Sequence, residues 1–383
     1  MTSLADAVSL PAAGLGPAAL ATRLAFLAAG LSMASWAPLI PFAKEKVGAS
    51  DAQLGVLLLC LGIGSIVAMP VTGYISARRG ARGMILLGGA GLVLFLPLLM
   101  TTGSPLLLGL AIFVFGASLG TIDVAMNVHG AEVERTERRP MMSGFHAMWS
   151  VGGILGAGGT TALIWGGVPP LGAAIVAATV AAASLTIAAP RLLRTRPGEP
   201  PVLALPRGLV LLLAVLAALV FLVEGAILDW GALLMLDRGL LPVEAGGLGF
   251  MLFSAAMAAG RLAGDRIVAR LGGRTTLVAG GIVATSGLVL ILTGGAAVAL
   301  AGFTLVGFGC ANLVPVLFSA AGRQKDMAPG LAIAAITTVG YAGILLGPAA
   351  IGFVSEATSL PVAFWGIAVL VLAVPACARA ATR

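Results

Sequence analysis

Charge is what this chain has least of. Only 10% of its 383 residues are charged, 5% are aromatic, and Asp and Glu together number 15. A water-exposed globular domain of this length needs much more polar surface over its core, so a soluble enzyme is excluded and lipid is the solvent that fits. Histidine is nearly absent, at two residues, and there are three cysteines. Cys60, Cys310 and Cys377 stand in or beside apolar runs, at spacings that make neither a metal site nor a disulfide framework, and read as small core residues. The chain has no GxxxxGK[ST] phosphate loop, which removes direct ATP-driven work, and nothing in it calls for a cofactor. No loop is long enough to house a separate soluble domain.

What is there is 59% hydrophobic residues, 54 glycines and a mean hydropathy of +1.09. Lipid tolerates an apolar exterior, and glycine lets helices approach closely within it. The reading is an all-α membrane protein. At about 20 residues per crossing, twelve transmembrane helices are expected near 20–43, 52–75, 82–101, 105–128, 142–165, 168–190, 207–235, 246–268, 275–293, 295–320, 328–350 and 360–378. The seventh run exceeds a minimal span, and a break near Gly225 is one way to fit it. The opening residues lack a basic region before an apolar core and a cleavage signal, so the first hydrophobic segment is expected to be retained.

Twelve crossings place 19 Lys and Arg residues on the side of both termini and 3, Lys44, Lys46 and Arg238, on the other. By the positive-inside rule both termini are expected on the cytoplasmic side. The net charge of +7 is then explained by lipid headgroups, without nucleic acid as a partner.

The most polar long connection, at 190–207, falls between the sixth and seventh spans. It divides the chain into an N-terminal bundle of six helices at 1–190, a cytoplasmic linker at 191–206 and a C-terminal bundle of six helices at 207–383. Corresponding features recur about 190 residues apart: GYISARRGAR at 73–82 against GDRIVARLGGR at 264–274, and GGILG at 152–156 against AGILLG at 342–347. Two pseudo-symmetric six-helix bundles around one cavity are a direct basis for alternating access. One such chain suffices for the whole route, as a monomer.

Acids inside apolar runs carry the functional signal. Asp123, Glu224 and Asp229 are severely penalised if they face lipid, so they are expected to face protein or a water-lined interior. These acids point to transport rather than inert anchoring.

The layout resembles the major facilitator superfamily. Its loop signature between helices two and three is similar to Gly73-Tyr74-Ile75-Ser76-Ala77-Arg78-Arg79-Gly80-Ala81-Arg82, and the second-half counterpart to Gly260-Arg261-Leu262-Ala263-Gly264-Asp265-Arg266. The resemblance covers nearly the whole chain. Ala77 stands where the superfamily loop commonly carries an acid, so the cytoplasmic gate is sought elsewhere: Arg78 or Arg79 with Glu132 or Glu134, and Asp265 with Arg261 or Arg323. The alternative is that these groups, Arg266 among them, only set topology in a wet headgroup zone.

Asp123-Val124-Ala125-Met126-Asn127 is similar to the helix-four acidic patch of the fucose permease group, where the acid takes part in proton coupling or sugar binding. Glu224-Gly225-Ala226, followed by Asp229-Trp230, resembles a helix-seven pattern in poorly characterised bacterial members grouped near those sugar permeases. The first helix, Leu31 to Pro41, resembles the family segment but lacks its acid.

Asp123 and Asn127 are four residues apart and share a helix face. A proton on Asp123 removes the charge that opposes its occlusion, and Asn127 offers a donor and an acceptor to a solute; a permanently ionised acid tied to another helix is the alternative. Glu224 is the second candidate proton carrier, with Asp229 nearer the outer gate and Trp230 as an interface anchor; helix capping or a bond across the bundle is the other reading. His146 is a candidate relay, because its reference pKa lies near 6.5, or part of a packed helix entrance. Asn312 serves either a polar solute or a carbonyl exposed by a kink at Pro315, and Trp36 and Trp149 either stack on a solute or pack.

The expected function is secondary active transport of a small organic molecule coupled to protons, with a sugar-like solute favoured by the resemblance. The runner-up is proton-antiporting efflux of a lipophilic compound, and a receptor or scaffold on a transporter-like fold is a third reading.

Overall fold

Lipid leaves a backbone two ways to satisfy its polar groups, and this chain takes the helical one. The computed structural model describes residues 16–137, 141–194, 206–325, 327 and 329–382, and these are helical apart from short turns. Helix α1 (Pro17–Trp36) continues through a 3-10 turn at Ala37–Leu39 into Ile40–Val47. It is followed by α2 (Asp51–Arg79), α3 (Arg82–Leu98), α4 (Pro105–Glu137), α5 (Met142–Trp165) and α6 (Pro170–Ala188). The second half holds α7 (Gly208–Asp237), α8 (Leu248–Leu262), α9 (Gly264–Thr293), α10 (Ala296–Cys310 and Leu313–Arg323), α11 (Pro329–Ala357) and α12 (Leu360–Val371 and Ala373–Ala381). Among the described residues ten helices are long and apolar enough to cross a membrane, α3 is a shorter apolar helix, and the 29-residue α11 completes twelve passages. The fold is an all-α, twelve-helix membrane architecture of two pseudo-symmetric six-helix bundles, as the sequence leads one to expect.

Local chemistry sets the turns at the end opposite the chain termini, the outer end in the expected topology. Gly48, at φ 62°, ends the extension of α1 in the left-handed region that a side chain resists. Ser50 then starts α2 with a capping box: its Oγ accepts from the Gln53 N–H at 3.3 Å, and Gln53 Oε1 accepts from the Ser50 N–H at 3.1 Å. Lys46 donates to the Met100 carbonyl at 2.6 Å, and Arg238 donates to the Gly294 carbonyl at 3.1 Å and to that of Ile291. The three basic residues of this end therefore tie loops together, Lys44 by pairing with Asp51.

Inside each half, missing side chains let helices touch backbone to backbone. A Cβ at Gly116 of α4 would strike the Leu61 backbone of α2, and one at Gly120 would lie 2.6 Å from the Ser65 carbonyl. Gly152 of α5 packs in the same way on Leu27 and Leu31 of α1. Such contacts replace the hydrophobic drive that lipid does not supply.

The halves meet along two seams. In the first, α2 lies against α11, with the Cβ position of Gly55 2.8 Å from the Pro348 carbonyl. In the second, α5 lies against α8, with that of Gly158 2.6 Å from Met251 Sδ. At the outer end Asp51 of α2 accepts from both Lys44 and Ser355 of α11, while Glu356 Oε2 accepts from the Ala52 N–H at 3.3 Å. The outer end is closed by these contacts.

Several expected boundaries shift. The crossing placed at 246–268 ends at Leu262, and the chain restarts in α9 at Gly264 before bending at Gly272, so the basic motif at 264–274 opens the next helix and is not the tail of a span. The tenth crossing is broken at Ala311–Asn312, where the chain turns ahead of Pro315. Helix α7 does not break near Gly225; it runs unbroken for 30 residues because a glycine alone removes no backbone hydrogen bond. The linker expected at 191–206 falls largely outside the described residues.

Candidate functional site

Midway along the bundle the two halves enclose a cavity of about 240 Å³. Helical periodicity decides what faces it. From the first half come Gly30, Met33 and Ala34 of α1, Leu61, Ser65 and Met69 of α2, Leu119 and Asp123 of α4, and Trp149, Ser150 and Gly153 of α5. From the second come Glu224, Gly225 and Leu228 of α7, and a stripe on α8 of Phe250, Phe253, Ser254, Met257 and Arg261, spaced by three and four residues. The wall is mainly carbon. Ser65 has already spent its hydroxyl on the Gly116 carbonyl at 2.7 Å, and Ser150 Oγ lies 3.4 Å from the His146 carbonyl.

Against that wall stand three charges. Arg261 Nη2 is 3.7 Å from Glu224 Oε1, and this oxygen is buried with no hydrogen-bond partner among the described residues. Asp123 faces the same cavity from the other half. The Asn127 amide donates to the Asp123 backbone carbonyl at 2.9 Å and lies 3.4 Å from its Oδ1. Asn127 is thus turned back along α4 and does not line the cavity, because its short side chain reaches the carbonyl one turn earlier more readily than a solute.

The other candidates scatter. Asp229 is buried within the packing of α7, 6% exposed, and its Oδ1 has no hydrogen-bond partner among the described residues. Trp36 is fully buried in the core and absent from the cavity wall. Trp230, expected as an interface anchor, is fully buried as well. His146 is exposed one turn inward of Trp149, with its ring edge-on to Phe26 at 5.0 Å. Asn312, at the break of α10, donates to the Gly260 carbonyl in the last turn of α8 at 3.1 Å, beside a second, separate cavity and not in the wall of the central one. The other histidine, His129, is buried and occupied at both nitrogens: Nε2 accepts from the Leu193 N–H at 2.9 Å, which assigns the proton to Nδ1, 2.9 Å from Thr22 Oγ1.

Among the described residues, the pairings expected at the inner gate are not formed. Glu132 pairs with Arg135 on its own helix at 2.5 Å, and Glu134 accepts from the backbone N–H groups of Met141 and Met142, at 2.5 and 2.7 Å. Arg78 lies 4.6 Å over the Tyr74 ring, and Arg79, Arg266 and Arg323 are exposed. For Glu132 and Arg78 a partner at helical spacing lies within reach, and Glu134 is taken up by the start of α5. The side chain of Asp265 lies outside the described residues, and Arg261, expected near it, points to Glu224. Arg261 is the functional candidate that the loop motif concealed; the stripe from Phe250 to Arg261 was the signal that could have found it.

Residues 24–325 match the Major Facilitator Superfamily. An uncharacterized MFS-type transporter of Yersinia pestis is 50% identical over 94% of this chain and 95% of its own length. In fold, the chain is similar to the nucleoside transporter NupG at a TM-score of 0.75, with 12% identity over 96% of this chain and 100% of that one. It is also similar to a D-xylose-proton symporter at a TM-score of 0.74, with 14% identity over 94% and 96%. Likenesses of such low identity carry the fold alone.

Proposed function

The chain belongs to the major facilitator superfamily, and we propose from this premise that it moves a small organic solute by alternating access with protons as the driving partner. It is a secondary active carrier and not an enzyme. The observation that supports proton coupling is the meeting of Asp123 from one half with Glu224 and Arg261 from the other in a single cavity. Rocking about the α2–α11 and α5–α8 seams would expose these groups to the two sides in turn. A proton on an acid removes the charge that makes occlusion costly, so protonation and movement are linked by solvation energy.

The cavity wall bears on the solute. A sugar asks for many hydrogen-bonding groups, whereas this wall is Met, Leu, Phe and Gly with few uncommitted hydroxyls. The lining therefore favours a solute with an apolar body over the sugar suggested by the fucose-permease resemblance. The same wall supports, as a second reading, proton antiport of a lipophilic compound. Termini on the cytoplasmic side of the bacterial inner membrane are supported by Lys44, Lys46 and Arg238 all lying at the outer end, and by Arg78, Arg79, Arg82 and Arg323 at the other.

The test is flux of a solute panel into proteoliposomes under imposed pH gradients. Accumulation that follows the gradient and collapses when protons are equilibrated is the expected result. Binding without flux under every gradient would convert the protein into a receptor.

A further inference from the structure

We propose that Arg261 is the anchor for an organic anion, a carboxylate or sulfonate on an apolar body, and that Glu224 holds its guanidinium in the empty carrier until a proton displaces it. The inference rests on the carrier reading above and names its solute class.

Arg261 ends the in-phase stripe of α8 and stays 37% exposed at the cavity, while Glu224 of α7 is 21% exposed. Their 3.7 Å approach is an ion pair without a hydrogen bond. The planar fork of five donors is therefore not used in the bidentate manner that a carboxylate or sulfonate allows. Around it, Met257, Phe250, Trp149 and Leu228 offer contact to a hydrocarbon or aromatic body and no competing cation.

Charge conservation gives the cycle. In the empty carrier Glu224 carboxylate and Arg261 guanidinium sum to zero. An arriving proton bonds to a Glu224 oxygen and ends the ion pair, and the anion then pairs with Arg261. The loaded site, neutral Glu224 with Arg261 and the anion, again sums to zero. On the far side the anion leaves, the proton departs from Glu224, and the carboxylate recaptures Arg261. Both forms that must be occluded thus avoid a net buried charge from this pair, and one anion moves with one proton. The charged and titratable groups that face Glu224 are Arg261 of α8 and Cys310 of α10, with Asp123 of α4 and His146 of α5 across the cavity and Asp229 further along α7; the described charged groups of α11 and α12 lie at helix ends. A proton carried by Asp123 is counted apart from this pair and adds to the one on Glu224.

The full-length protein in nanodiscs is titrated with benzenesulfonate, whose charge does not change with pH, and with benzenesulfonamide and phenyltrimethylammonium as neutral and cationic counterparts. The expected result is binding of the sulfonate alone, about tenfold tighter at acidic than at alkaline pH. E224Q should bind it at alkaline pH as tightly as the wild type does at acidic pH, and R261Q should lose about tenfold or more at acidic pH. R261K, which keeps the charge without the fork, provides an intermediate affinity should R261Q fail to fold. Equal binding of all three probes, no sulfonate binding at either pH, or affinity indifferent to E224Q would overturn the proposal. Proton-driven flux of neutral or cationic solutes with these results would leave the carrier reading standing and end this one. Arg261-dependent sulfonate binding with no flux of any solute would end the carrier reading and leave the anchor.

Discussion

Glu224 Oε1 and Arg261 Nη2 face each other at 3.7 Å between α7 and α8, close enough to feel each other's charge and too far apart to share a hydrogen. Removing one partner leaves the other uncompensated in a poorly solvated place. E224Q and R261Q are each expected to lower thermal stability in detergent by about 1–2 kcal/mol, a figure reduced from the fully buried case because both side chains keep some exposure. The double variant should recover most of that loss. Losses that simply add would show that the two groups do not stabilise each other.

Asp123 is expected to set part of the pH response of transport. Asp123→Asn fixes a neutral side chain of the same size, so flux should become flatter with pH, losing about tenfold of its dependence across the range where the wild type responds. Flux against pH in proteoliposomes, with proton stoichiometry, reads this directly. Unchanged flux and stoichiometry would remove Asp123 from the coupling mechanism.

The outer closure depends on Asp51, which joins Lys44 of its own half to Ser355 of the other. These groups are partly exposed, so Asp51→Asn is expected to weaken closure by about 1 kcal/mol, or about fivefold in the population of the outward-open form. Labelling of a cysteine placed at Ser65, with the three native cysteines replaced, should become about fivefold faster from the outer side. No change in labelling would mean that the glycine seams alone hold this end shut.

Gly116→Val should be far more damaging than Gly159→Ala. The first forces carbon into the Leu61 backbone, whereas a Cβ at Gly159 meets no atom within 4 Å. Overpacking of about 1–3 kcal/mol or more is expected for the valine and near neutrality for the alanine. Yield of monodisperse protein and its thermal midpoint separate the two.

His129→Ala should cost about 2–3 kcal/mol, because it strands the Leu193 N–H and releases Thr22. The pH profile of transport should keep its shape, as both ring nitrogens are bound in place away from the central cavity. A displaced profile with intact stability would give His129 a functional part.

The twelve passages and two halves were legible because lipid writes itself into composition: apolar runs of membrane length, polar turns and basic residues sorted to one side. The acids at 123 and 224 were legible for the same reason, since a carboxylate in such a run needs an interior to face. Helix ends were less so. Nothing local marks Leu262 as the end of α8, so Arg261 looked like part of a basic loop when it is the last inward-facing residue of a helix. Trp36 and Trp230 show the complementary failure, for an indole in an apolar run is equally suited to a cavity wall, an interface or a core, and only packing decides. The contacts that close the outer end join residues about 300 positions apart, such as Asp51 and Ser355, a pairing that no spacing encodes.

That closure has a physiological side. Its polar part is partly exposed, and charges farther apart than about 8 Å are screened at physiological salt while closer ones lose strength as salt rises. Ionic strength on that side of the membrane would thereby adjust how readily the empty carrier swings open, before any cargo arrives.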